Sequence, residues 1–290
     1  MKKQQIVLIA AALVVAAALY FFGNTVPQKK EGAEQAQNAP ADEHADHQHV
    51  FDIDQYVGKV TKMLPVSGQQ YINSLNNEVK RGDVKAQQVK AFRAQAAYWK
   101  DSANNPIVYF HFLEKAASLE NSEKNLTFAA HSILRYLPYA ELPAERVWLA
   151  NEGRELFEKA LLLNPANDSS TVGLGACYIY GASGGPDETP MTGILKVRDV
   201  ASRDSNNIFA QYMLGIGGVT SGQLDKAVLR FEKVVQAEPN NLEVLFKLAE
   251  TYENLGDKPN AIKWYTVILG KSSVAEMKQE LQQRIDQLKK

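Results

Sequence analysis

Apolar and polar positions follow three successive rhythms along the chain. Ile6 to Phe22 is an unbroken apolar run of 17 residues without a charge. As a helix rising ~1.5 Å per residue it would reach roughly 26 Å, slightly under a ~30 Å hydrocarbon core. Tyr20, Phe21 and Phe22 close it with aromatic side chains suited to the headgroup zone. Residues 23–50 then lose all apolar periodicity and are rich in Ala, Gln, Glu, Asp and Asn, with Pro27 and Pro40, which is the composition of a linker. From residue 51 onward apolar positions recur every three to four residues, as in amphipathic helices.

A longer period overlies the short one. Shifting residues 208–241 by 34 places Leu214 on Leu248, Gly222 on Gly256, Ala227 on Ala261 and Phe231 on Tyr265, with no gap. Self-similarity at a fixed period marks a stacked helical repeat. Each position has a physical role. Gly222 and Gly256 suit a left-handed helix cap. Ala227 and Ala261 allow two helices to approach closely, and Phe231 and Tyr265 fill the space one turn further on. Pro239 cannot continue a helix, and Asn240–Asn241 favours the turn into the next.

These positions resemble the tetratricopeptide repeat, with its Leu-Gly-x-x-Tyr, Ala-x-x-x-Phe and closing Pro. Leu214–Gly215, Ala227, Phe231 and Pro239 match it, as do Leu248, Tyr252, Ala261 and Tyr265, while Ala249 and Ser273 depart from it. Leu174–Gly175–Ala176–Cys177–Tyr178 repeats the first motif, followed by Gly193 and Val197. Its inter-helix turn, Tyr180 to Pro190, is six residues longer. Phe157, Ala160 and Pro165 fit an earlier second helix, whose partner near 125–137 is joined through Pro138 and Pro143. The resemblance implies an all-α, right-handed solenoid. The expected organisation is a tail (1–5), a transmembrane anchor (6–22), an acidic, His-containing linker (23–50), a divergent helical region (51–124), a repeat array (125–275) and a capping helix (276–290). Within the divergent region, 84–102 and 106–119 read as an eroded helix pair, while 54–82 holds two amphipathic stretches that the pattern does not place. Met277, Leu281, Ile285 and Leu288 give the cap one apolar face.

Composition narrows the function. The chain of 290 residues is 45% apolar and 22% charged, as in a folded protein, and its net charge is −1. That balance argues against nucleic acid as the main ligand. Cys177 is the single cysteine, so there is no intrachain disulfide. The apolar run admits two readings, a cleaved signal peptide or an anchor. The anchor is favoured because bulky aromatics follow Ala16–Ala17–Ala18 where a cleavage site would need small residues. Lys2 and Lys3 place the tail in the cytoplasm, although Lys29 and Lys30 weaken that bias. The expected location is the inner membrane, single-pass, with the folded body periplasmic.

The resemblance also implies that the first helix of each pair lines a concave groove that receives a protein or peptide. Phe209, Tyr212, Ile216 and Val219 form a 3, 4, 3 stripe on one first helix. Val172, Ile179 and Tyr180 belong to the preceding first helix, and Phe246, Glu250 and Asn254 to the following one. The competing reading packs these side chains against neighbouring helices. Asn254 stands without the Lys and Arg that the family's carboxylate clamp requires, so an apolar ligand is expected rather than a charged C-terminus.

Candidate chemistry is thin. His44, His47 and His49, beside Glu43 and Asp46, could take Zn²⁺ or Cu²⁺, but their linker composition offers no preformed site and a solvated linker is the favoured reading. Gly181–Pro186 lacks the Gly-Lys-Ser/Thr ending of a phosphate loop. Cys177, His111 and His131 read as packed side chains. No catalytic residue and no cofactor are expected. The sequence therefore points to a non-enzymatic, membrane-tethered interaction scaffold. The alternative is a homo-oligomerising or chaperone-like module that holds unfolded exported chains.

Overall fold

The structure, a computed structural model, describes residues 51–81, 84–181 and 189–290. The expected anchor, the linker with His44, His47 and His49, and the Gly-rich turn after Gly181 lie outside the described residues. Among the described residues there are thirteen α-helices, one short 3₁₀ turn and no strand. None of these helices is long and apolar enough to cross a membrane.

The helices are α1 (Ile53–Met63), α2 (Val66–Arg81), α3 (Lys85–Asp101), α4 (Pro106–Glu120), α5 (Glu123–Tyr136), α6 (Pro143–Leu163) and α7 (Asp168–Gly181). They continue as α8 (Pro190–Arg203), α9 (Ile208–Thr220), α10 (Leu224–Ala237), α11 (Leu242–Asn254), α12 (Lys258–Lys271) and α13 (Ala275–Leu288). The 3₁₀ turn, Leu137–Tyr139, lies between α5 and α6.

Local sequence sets the helix boundaries. Asn105, Asn207 and Asn241 each accept a hydrogen bond from the backbone N–H three residues on, at Val108, Ala210 and Val244. Such side-chain caps satisfy donors that the first turn leaves without an internal partner. Pro106, Pro143 and Pro190 sit at the first helical position, where the missing N–H costs nothing. Gly222 and Gly256 adopt φ of +72° and +78°. That left-handed geometry is what their 34-residue spacing predicts.

Neighbouring helices pack as antiparallel-type pairs: α3 with α4, α5 with α6, α7 with α8, α9 with α10 and α11 with α12. Each pair also packs on the next, and α7 touches both α5 and α9, so the pairs stack into a tetratricopeptide-like solenoid. Close approach is built from missing side-chain atoms. A Cβ on Gly215 would lie 2.4 Å from the Phe231 ring, and one on Gly173 would lie 2.2 Å from the Phe157 ring. Ala227, Phe231, Leu248, Ala261 and Tyr265 are all buried in the main core.

The first helices close the array at its start. Ile72, Ala96, Trp99, Val108 and Phe112 form a second, smaller cluster from α2, α3 and α4. In front of α1, Phe51 stacks at a tilt on Trp148 of α6, 5.5 Å between ring centroids. At the other end Leu281 and Ile285 of α13 are buried, and Arg284 is bound to Glu253 of α11 at 2.5 Å.

Candidate functional site

α5, α7, α9 and α11 are the first helices of successive pairs, and one side of them lines a groove. It consists of two adjoining hollows of about 320 and 720 Å³. Pro138, Tyr139, Tyr180, Tyr212 and Glu243 line both. The smaller hollow adds Phe209 and Met213 on α9 and His131 and Arg135 on α5. The larger extends over Ile216, Val219, Phe246 and Asn254 to Met277 of α13.

The groove has a hydroxyl rung at its centre. Tyr212 of α9 donates to Oε1 of Glu243 on α11 at 2.5 Å. Tyr180 of α7 is hydrogen-bonded to Tyr212 in turn. Three successive first helices are thus joined by one chain of polar atoms. Burial pushes the Tyr180 hydroxyl up to about 12. Burial, the neighbouring Tyr180 and the Glu243 carboxylate raise Tyr212 further. Both phenols therefore stay protonated through the physiological range, as fixed polar groups among apolar walls.

Formal charge on the groove balances. Arg135, Arg146 and Lys247 face Glu238, Glu243 and Glu250. Lys247 is held by Glu250 at 3.1 Å. Arg146 donates to the Ala140 carbonyl at 2.6 Å, which fixes the chain just after the 3₁₀ turn. Tyr139, on that turn, is 67% exposed and stands at the junction of the two hollows.

Of the residues expected in the groove, Ile179, Tyr180, Phe209, Tyr212, Ile216, Val219, Phe246, Glu250 and Asn254 line it. Val172 does not: it is 0% exposed and belongs to the main core. The first turn of α7 is tied to α5 through Thr127 with Ser170 at 3.3 Å and His131 with Ser169 at 3.0 Å, which closes that end of the helix. His131, Arg135, Pro138, Tyr139, Arg146, Glu243 and Lys247 are groove residues that spacing alone did not reveal. Pro138 and Tyr139 come from the irregular α5–α6 connection and Arg146 from the first turn of α6 just after it, a stretch with no counterpart one period away. Glu243 and Lys247 flank the expected Phe246 stripe, where their polarity hides them from an apolar pattern.

The remaining chemistry is structural in character. Cys177 is buried, and burial pushes its thiol up to about 12, so no thiolate forms. His111 is buried beside Phe112 and 3.9 Å from Asp54; burial brings its pKa down to about 4, and the imidazole is neutral. His131 packs edge-on against Phe157, and burial lowers its pKa too. Among the described residues no group of three or more His, Cys, Asp or Glu is placed to hold a metal.

Residues 219–277 match the tetratricopeptide repeat family model. The crystal structure of TTC0263, a thermophilic tetratricopeptide protein of Thermus thermophilus, superposes with a TM-score of 0.50 at 14% identity, covering 69% of this chain and 98% of that one. MamA residues 41 to the end, from Desulfovibrio magneticus RS-1, gives a TM-score of 0.44 at 17% identity, covering 66% and 96%. YrrB, described as a tetratricopeptide protein with an unusual peptide-binding site, gives 0.40 at 17% identity, covering 67% and 91%. No curated protein sequence matches the chain. The TTC0263 likeness speaks to the fold alone.

Proposed function

We propose that this chain is a non-enzymatic, membrane-tethered scaffold that captures a protein segment in the α5–α7–α9–α11 groove. One observation carries the reading. Phe209, Tyr212, Ile216 and Val219, spaced on one helix face, line a groove that continues onto the helices of both neighbouring repeats. Apolar pockets with a few fixed polar groups are the usual form of a peptide site. The hydroxyl rung and the balanced charges favour an extended, mainly apolar segment over a strongly charged terminus. The Ile6–Phe22 run would hold the scaffold at an inner membrane with its folded body in the periplasm.

The test is crosslinking of the intact membrane protein, with partner identification, followed by pull-down of the crosslinked partner with the Phe209→Ala/Tyr212→Ala double variant. Both side chains are half-buried at the groove, so the variant is expected to keep its helical content and lose the partner. Unchanged capture would rule the groove out. A stable homo-oligomer whose contacts occlude the groove would instead support a self-associating, chaperone-like module.

A further inference from the structure

α9 carries a second set of residues that the concave groove does not use. Gln211, Leu214, Gly218 and Ser221 are each offset by two positions from the Phe209, Tyr212, Ile216 and Val219 stripe. At 3.6 residues per turn, two positions are about 200°, so the two sets occupy opposite faces of one helix. The second face forms the floor of a separate cleft of about 510 Å³. Its walls are the flanking second helices. Met191, Ile194 and Arg198 of α8 stand on one side, and Lys226, Leu229, Arg230 and Lys233 of α10 on the other. Each wall repeats at the i, i+3, i+7 spacing of a single helix face.

The chemistry of this cleft is one-sided. Leu229 is 66% exposed and Met191 47% exposed, although each is a large apolar side chain. Every formally charged lining residue is a cation: Arg198, Lys226, Arg230 and Lys233. None of the four makes a salt bridge among the described residues. Lys226 donates to Gln223 at 2.6 Å, Arg230 to Gln211 at 2.7 Å and Lys233 to the Ser205 carbonyl, all uncharged acceptors. The acid beside Arg198, Asp199, is turned to Arg203 at 3.3 Å. The chain as a whole is nearly neutral, so this local excess is not a reflection of composition.

We propose that the α8–α9–α10 cleft is a second docking site, and that its occupant is an acidic amphipathic helix of a partner protein. Seven residues of helix cover ~10 Å, so the cleft accepts about two turns. The occupant's apolar stripe would cover Met191 and Leu229, while carboxylates on its flanks meet Arg198 and Lys226 at the rims. Opposite charges on the two surfaces set register and speed encounter. A recessed floor between two helical walls suits an inserted helix better than a flat lipid surface.

The test is fluorescence anisotropy on the full chain in zwitterionic micelles. The probe is a labelled 16-residue helical peptide with Leu at i, i+3, i+4 and i+7 and Glu elsewhere; the control carries Lys in place of every Glu. The Glu peptide is expected to bind in the micromolar range, to weaken with added salt, and to weaken about tenfold with Arg198→Glu/Lys226→Glu. Both substituted side chains are exposed, and circular dichroism verifies that the variant folds. Phe209→Ala/Tyr212→Ala is expected to leave this binding unchanged, which separates the cleft from the concave groove. Equal binding of the Glu and Lys peptides overturns the proposal, as does binding indifferent to the charge reversal. Absence of Glu-peptide binding overturns it as well, and partition into phosphatidylglycerol-doped micelles that the reversal removes would then assign the cleft to a lipid surface.

Discussion

Gln95 is the least expected residue of the core. It is 0% exposed on α3, and neither polar atom of its side chain has a hydrogen-bond partner among the described residues. The indole N–H of Trp99, one turn along, is likewise unpartnered. A buried amide without partners costs free energy that an apolar side chain of similar volume does not. Gln95→Met is therefore expected to stabilise the protein by ~1–3 kcal/mol, read from urea unfolding. Glu152 is the titrating counterpart. Burial, and then Glu114 and Glu155, raise its carboxyl to about 7 from 4.5, while Lys159 and Lys115 oppose them. Between those values the folded state keeps a proton that the unfolded chain has released, so stability falls as pH rises through that window and the full penalty stands above it. Glu152→Gln should raise stability at pH 8 by on the order of 1–3 kcal/mol and change little at pH 4. Equal effects at the two pH values would exclude Glu152 as the source.

Between residue and fold stand the caps and seams of single helices. Gly256 ends α11 at φ +78°, and a Cβ there would meet nothing within 4 Å. Gly256→Ala thus isolates backbone strain from steric clash and is expected to cost ~1–2 kcal/mol, measured by thermal unfolding. This position was legible in the sequence because a 34-residue period and a conformational need coincide at it. The same holds for Ala227 with Phe231 and for Ala261 with Tyr265. Legibility fades where a contact is made by an element without a periodic counterpart. Tyr139 reaches the groove from the irregular α5–α6 connection and Arg146 from the start of α6 that follows it, and no spacing rule points to them. Val172 fails for the opposite reason: it occupies a first helix, but α5 is hydrogen-bonded across that end. The cleft outside the groove was hidden because Leu214 reads as a packing residue and the cations beside it as ordinary solvated charge.

For the whole molecule, stacking makes every pair depend on its neighbours, so the ends need closure. α13 supplies it on one side through Leu281, Ile285 and the Arg284–Glu253 pair, while Phe51 and α1 supply it on the other through Trp148. The charge-free run Ile6–Phe22 ahead of the folded body bears on its placement in the cell. A phosphatase reporter fused after Lys290 is expected to be active, as an exported C-terminus requires; an inactive fusion would place the array in the cytoplasm.

α9 stands between the two hollowed faces, with the groove on one side and the cleft on the other. Gly215, Gly217 and Gly218 in its middle let Phe231, Ile194 and Ala227 pack directly against its backbone. A ligand that turns or shifts this helix on one side reshapes the wall that the other side presents. Any coupling between two occupants across such a partition is reciprocal: the factor by which the first alters the affinity of the second is the factor by which the second alters the first. Titrating either face with the other filled would measure that factor, and with it whether the partition transmits or insulates.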